Sequence, residues 1–134
     1  MRLIARLDIK NEYVIKGIQL EGLRKIGDPN EIALSYYNEG IDEIVFMDAV
    51  ASLYDRNNLF NVIETACTNI FVPIAVGGGI RSLDDVSKVL NCGADKVIIN
   101  TAAVRDIKIV ENVANKYGSQ CLATIIRVIF AISL

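Results

Sequence analysis

The sequence contains no histidine, which removes the residue on which catalytic triads and most zinc sites depend. Neither a metal ion nor another cofactor is expected. Cysteine is also scarce: Cys67, Cys92 and Cys121 are odd in number and lack the CxxC spacing of redox and metal motifs. Because Cys67 and Cys121 fall in apolar runs, we interpret them as buried cytosolic thiols and not as a disulfide framework.

A block of basic residues is absent too, and the 14 lysine and arginine residues are outnumbered by 16 acidic ones. The net charge of −2 argues against nucleic acid or an anionic membrane surface as the main partner. The N-terminal apolar stretch is too short for a signal peptide, and the apolar residues 121–134, interrupted by Arg127, are too few to span a bilayer. The 134 residues suffice for one domain.

What the sequence does contain is an alternation of short Val- and Ile-rich runs with amphipathic stretches. The runs are mostly apolar on both faces, which is typical of strands in a covered parallel sheet; they cover residues 3–7, 43–47, 72–76, 96–99 and 121–126. Helix starts are indicated by Asp28-Pro29 and by Ser82 with Asp85, and a helix end by Gly118. Four inward stripes are predicted: Ala33, Tyr36 and Tyr37; Leu59, Val62, Ile63 and Ala66; Leu83, Val86 and Leu90; Val110, Val113, Ala114 and Tyr117.

This βαβαβαβαβ order predicts an α/β fold with a parallel sheet, either open and doubly wound or closed into a barrel. The strands end near Asp8, Asp48, Gly77 and Asn100, and in both architectures the ligand site lies at such strand ends. Periodicity does not separate the two architectures.

A phosphate site is indicated by Gly77, Gly78 and Gly79, which follow a strand and precede a helix start. Glycines allow a close backbone approach and expose amide donors to an anion. The plainer interpretation is a tight turn, and the spacing matches neither a Rossmann nor a Walker loop. Asn100 and Thr101, at the end of the next strand, either share this anion or cap the following helix.

Asp8 and Asp48 each close an apolar strand, where a carboxylate is a candidate general base or a structural acceptor for loop amides. Lys16 falls in the long loop predicted after the first strand, and its own position favours a solvated surface lysine. Arg2, Glu43 and Lys96 begin three strands at the opposite end of the sheet, where charged residues are usually solvated at the rim.

Taken together, these residues resemble the cyclase subunit of imidazole glycerol phosphate synthase. Order and spacing hold from about residue 2 to 120. The matching segments are IARLDIK at 4–10, VIKG at 14–17, GDP at 27–29, GIDE at 40–43, VGGGI at 76–80, GADK at 93–96, NTAAV at 100–104 and GSQ at 118–120.

The resemblance implies the N-terminal half of a TIM barrel in a cytoplasmic lyase of histidine biosynthesis. Such an enzyme takes ammonia from a glutaminase partner and closes the imidazole ring of a bisphosphorylated ribulosyl substrate. Carried over by resemblance, Asp8 is one catalytic acid/base. The substrate and phosphate contacts are Lys16, Asp48, Gly77, Gly78, Gly79, Asn100 and Thr101. The ammonia gate at the barrel bottom is Arg2, Glu43 and Lys96.

Departures from the family pattern limit this expectation. Arg127 stands where the resemblance has a second catalytic aspartate, Arg6 replaces a cysteine, and Ala49-Val50 differs after the second strand. The tail at about 122–134 is aberrant. We therefore interpret the chain as a single-domain barrel fragment that results from a truncation or a frameshift. We therefore expect the chain alone to be inactive and to self-associate through open sheet edges. Two alternatives stay open: a synthase that aminates a sugar for surface polysaccharide, and a non-catalytic phosphate-binding half-barrel.

Overall fold

The computed structural model describes residues 1–10, 13–18, 22–48, 56–99 and 106–123. The strands are β1 (Ile4–Lys10), β2 (Tyr13–Ile18), β3 (Gly22–Gly27), β4 (Glu43–Asp48), β5 (Ile74–Gly77), β6 (Lys96–Ile98) and β7 (Leu122–Ala123). The helices are α1 (Pro29–Asn38), α2 (Arg56–Asn69), α3 (Leu83–Asn91) and α4 (Lys108–Tyr117), and a 3₁₀ turn covers Ser119–Cys121.

The strands form one sheet in the order β3-β2-β1-β4-β5-β6-β7. Five strands, β1, β4, β5, β6 and β7, lie side by side in this order, and each neighbouring pair is parallel. They form a parallel sheet of βα units. The predicted parallel (β/α) half-barrel is confirmed. Among the described residues, no helix is long and apolar enough to cross a membrane.

The segment after β1 differs from the prediction, which placed Lys16 in a long loop. It forms an antiparallel hairpin of β2 and β3, and β2 joins the end of β1 through the pairs Ile9–Val14 and Lys10–Tyr13. Val14, which is 4% exposed, packs in the main core and so anchors β2 beside β1.

Two helix starts follow the predicted capping chemistry. Asp28 accepts hydrogen bonds from the amides of Asn30 at 2.8 Å and Glu31 at 3.1 Å, with Pro29 in the first helical position. Ser82 Oγ accepts from the Asp85 amide at 3.2 Å, and Asp85 Oδ2 accepts from the Arg81 amide at 3.0 Å. These bonds satisfy amides that have no partner within a helix.

The core lies between the parallel sheet and the helices. The predicted stripe of α2 is buried as expected at Leu59, Val62, Ile63 and Ala66. In α1 the prediction was wrong for Tyr36, which is 40% exposed, because the buried face follows the i, i+4 spacing of Pro29 and Ala33. All three cysteines are free; Cys121 is buried, whereas Cys67 and Cys92 are half-buried.

Candidate functional site at the inner face of the sheet

Strand alternation gives the parallel sheet two chemically different faces. Leu7 and Ile9 of β1 point to the helices and belong to the main core, whereas Arg6 and Asp8 point to the other side. We call this other side the inner face. It carries the following residues of β1, β4, β5 and β6: Ile4, Arg6, Asp8, Lys10, Glu43, Val45, Met47, Ala75, Gly77, Lys96 and Ile98.

Hydrogen-bonding register arranges the inner face in three rungs. The lowest pairs Ile4 with Glu43. The middle rung runs through Arg6, Val45, Ala75 and Lys96, and the top rung through Asp8, Met47, Gly77 and Ile98. Because neighbouring strands lie about 4.8 Å apart, the backbones of Asp8 and Gly77 are roughly 10 Å apart in the top rung. The candidate acid/base and the glycine turn therefore share one level of one face.

Asp8 is held by an arginine from its own strand. Asp8 Oδ1 lies 3.1 Å from Arg6 Nε and 3.0 Å from Arg6 Nη2. The two side chains are 39% and 43% exposed, so this end of the inner face is open to a ligand. Sequence reasoning missed this contact, although residues two apart in a strand lie on the same face.

The glycine turn is required by packing as well as by any ligand. A Cβ at Gly77 would lie 2.8 Å from both Ile98 Cβ and Met47 Sδ, and Gly78 has a φ of +93° with its Cβ position against the backbone of Asp48. These two glycines thus allow β5 to end tightly between its neighbours. Gly79 follows at the carboxyl end of β5, whereas Asn100 and Thr101 lie outside the described residues.

Asp48 and Asp8 point to opposite faces. Alternation in β4 places Glu43, Val45 and Met47 on the inner face, so Asp48 falls on the helix side, where it lines a small cavity with Leu59 and Asp85. Lys16 lies in β2, opposite Arg24 in the hairpin register. The structure thus brings together Asp8 and Gly77 but does not place Asp48 beside them.

The three strand-start charges do come together. Arg2 Nη2 lies 2.7 Å from Glu43 Oε2, and Lys96 Nζ lies 3.3 Å from Glu43 Oε1. The Glu43 side chain is only 6% exposed, and each of its oxygens faces one cation. This double pairing compensates a buried carboxylate that would otherwise be costly.

Two aspartates that sequence reasoning did not single out position these charges. Asp42 Oδ2 accepts a hydrogen bond from the Leu3 amide at 2.7 Å, and Asp95 Oδ2 accepts from the Ile74 amide at 2.9 Å. Each aspartate ends a Gly-Ile-Asp or Gly-Ala-Asp segment and immediately precedes Glu43 or Lys96. The repeated segment was the available signal, and its role is to anchor the start of one strand on its neighbour.

Comparison with known proteins gives a consistent result. A profile of the family described as "Histidine biosynthesis protein" matches residues 2–129. The chain is 57% identical over 122 residues to imidazole glycerol phosphate synthase subunit HisF of Legionella pneumophila, covering 91% of this chain and 58% of that protein. It is 46% identical over 129 residues to the protein of the same name from an Exiguobacterium species, covering 96% and 51%. The chain spans about half the length of the curated relatives it matches.

Proposed function

Because the chain belongs to the histidine biosynthesis protein family, we propose that it serves the cyclase reaction of imidazole glycerol phosphate synthase. In this reaction ammonia and a bisphosphorylated ribulosyl substrate yield imidazole glycerol phosphate and aminoimidazole carboxamide ribotide. The proposal includes a cytoplasmic location and a glutaminase partner that supplies the ammonia.

The observation that carries the proposal is the order of charges along the inner face. Glu43 with its two cations occupies the amino-terminal end, and Asp8 and the glycine turn occupy the carboxyl-terminal end. Barrel enzymes of this type bind substrate at the carboxyl ends of their strands. A small molecule admitted at the Glu43 end therefore reaches Asp8 along a single face.

Asp8 is proposed as one acid/base, while Gly79 with Asn100 and Thr101 holds one substrate phosphate. Gly77 and Gly78 shape this phosphate loop, and Lys16 lines the site. Asp48, on the helix side of β4, supports the loop from behind at Gly78. The separation of roughly 10 Å between Asp8 and Gly77 suits a phosphorylated sugar, whose phosphate binds the loop amides while a carbon at its other end faces Asp8.

The glutaminase is proposed to dock at the end that carries Arg2, Glu43 and Lys96. Large apolar side chains are exposed near the strand starts of this end: Leu3 is 51% and Phe71 78% exposed. Phe71 also borders an open depression of about 390 Å³ that Cys67, Pro73 and Asp95 help to line. Exposed apolar side chains around a depression are typical of an interaction surface.

The proposed site is tested by titrating the ribulosyl substrate into isotope-labelled chain and following amide NMR shifts. We expect shifts at Gly77, Gly78 and Gly79 and at Asp8, and weaker binding in Gly79→Ala. Lys108→Ala, on an exposed helix position, is the matched control. Shifts confined to the hairpin or to the outer helices would refute the site.

A second candidate is a related synthase that aminates a sugar, and the presence of Arg6 beside Asp8 favours it. The guanidinium adds a fixed cation beside Asp8, where the compound that receives the ammonia would bind, and so changes which ligand fits there. Titration of phosphorylated or nucleotide-linked sugars in the same NMR experiment separates the two candidates. Only the compound that the site is built to bind, the ribulosyl substrate or one of these sugars, should produce shifts at Asp8.

A further inference from the structure

Arg6 and Lys96 are the two cations of the middle rung, and they turn in opposite directions. Val45 and Ala75 separate them and are buried, at 7% and 1% exposure. Lys96 reaches down to Glu43 in the lowest rung, whereas Arg6 reaches up to Asp8 in the top rung. Each cation thus serves a different end of the inner face.

The Arg6 contact engages only one oxygen of Asp8. Both Nε and Nη2 of the guanidinium approach Oδ1, and no other hydrogen bond to the Asp8 carboxylate is found within the described part of the chain. A guanidinium is a rigid planar fork, so contact through two of its nitrogens fixes the direction of the bound oxygen. Neither contact involves the second oxygen, Oδ2.

An ordinary surface ion pair is the simplest alternative, since both side chains are about 40% exposed. Exposed pairs contribute little to stability. Removal of Arg6 should therefore leave the fold intact, so that its effect on Asp8 can be measured without unfolding the chain.

From this geometry we infer that Arg6 is a positioning residue: it holds Asp8 by Oδ1 in one rotamer so that Oδ2 faces the ligand. The inference rests on the proposed function for the role of Asp8 as acid/base. The contact itself is independent of turnover. A catalytic group gains from such pre-orientation because reaction requires its oxygen within hydrogen-bond reach of the proton it transfers.

The test measures the Asp8 side-chain rotamer in the labelled full chain from its Hα–Hβ couplings. We expect couplings that fit a single staggered rotamer in the unmodified chain. In Arg6→Gln the two Hα–Hβ couplings should take the intermediate values of a side chain that exchanges between rotamers. In Arg6→Lys they should lie between these values and those of the unmodified chain. The Arg6 Nε–H proton should exchange with water faster in Asp8→Ala, by up to about fivefold, because a hydrogen bond of the strength expected for an exposed pair is lost. Lys108→Gln, which removes a cation from α4, should change neither readout.

A single Asp8 rotamer in Arg6→Gln, or an averaged one in the unmodified chain, would overturn the inference. The outcome is separable from that of the substrate titration. If the ribulosyl compound fails to bind but the Asp8 rotamer depends on Arg6, the proposed function is refuted and the positioning contact stands.

Discussion

Lys96 Nζ lies 3.3 Å from Glu43 Oε1, although the strands that carry them, β6 and β4, are separated by β5. The side chain of Lys96 thus crosses beneath Ala75, its register partner in β5, to reach a buried carboxylate. The contact joins two strands that are not neighbours in the sheet at their amino-terminal ends.

Removing this cation should destabilise the chain. Lys96→Met leaves Glu43 with Arg2 alone, and we expect a loss of about 1–2 kcal/mol in the free energy of unfolding, below the value for fully buried pairs because Lys96 is partly exposed. Urea unfolding measures the loss. Lys88→Met, which removes the exposed pair with Asp84, should cost at most about 0.5 kcal/mol. Equal losses would show that burial of Glu43 does not matter.

Gly78 and Gly40 offer a matched test of the turn after β5. Both have positive φ, +93° and +91°, but a Cβ at Gly78 meets the Asp48 backbone whereas one at Gly40 meets nothing within 4 Å. Gly40→Ala should cost about 1 kcal/mol from backbone strain alone. Gly78→Ala should cost about 3 kcal/mol or more, since the collision adds to the strain. Similar midpoints in urea would contradict the close approach.

How far the sequence predicts this fold depends on whether an element is defined locally. The β-branched runs and the caps at Asp28 and Ser82 carry their own signal, and both were predicted correctly. The β2–β3 hairpin was missed because its strands carry glycine and basic residues, such as Gly17 and Lys16, in place of a Val- and Ile-rich run. They are held by pairing with each other and with the end of β1.

Some features of the candidate site could be predicted from the sequence and others could not. The joining of Arg2, Glu43 and Lys96 was expected from the resemblance, and the structure brings them into contact. Successive residues of β4 point to opposite faces of the sheet, and the pairing of β4 with β1 and β5 decides which face each residue takes. The face on which Asp48 lies therefore depends on this pairing. The direction in which Arg6 turns depends on tertiary placement, because carboxylates lie in the rungs both above and below it.

Cys67 should react slowly with alkylating reagents. Burial raises the pKa of the Cys67 thiol to about 11, and the nearby Asp95 and Cys92 act in the same direction. At pH 8 the reactive thiolate is then about 100-fold scarcer than for an ordinary thiol of pKa 9. Iodoacetamide labelling with peptide mapping should show a rate at Cys67 that keeps rising as the pH approaches 11, whereas the urea-unfolded chain levels off near 9. A plateau near pH 9 in the folded chain would contradict the burial effect.

The chain is expected to self-associate. Among the described residues, the edge of β1 away from β4 is paired only at Ile9 and Lys10, so its earlier backbone groups are open to another strand. Ile4, which is 53% exposed, lies on this segment. Light scattering at micromolar concentration should show dimers or larger species, reduced by Ile4→Lys but not by Leu34→Lys on α1. A well-folded monomer throughout this range would refute the prediction.

The chain alone should show no appreciable cyclase activity. The family chemistry, as the resemblance implies it, requires two carboxylates on opposite sides of the substrate, one giving and one taking a proton. Asp8 provides one, but Arg127 stands where the second is expected, and a guanidinium cannot act as a base at neutral pH. Because groups that act as a unit lose nearly their whole joint effect when one of them is absent, we expect Asp8 alone to give no measurable acceleration.

Excess ammonia in place of the glutaminase isolates this step, because it removes any requirement for the partner. We expect product formation by the chain, and by Asp8→Asn, to be indistinguishable from the uncatalysed rate. Substrate should nevertheless bind, since the glycine turn and Asp8 share one rung of the inner face. Turnover that disappears in Asp8→Asn would show that a single carboxylate suffices, and the assignment of a necessary second group at the position of Arg127 would be wrong.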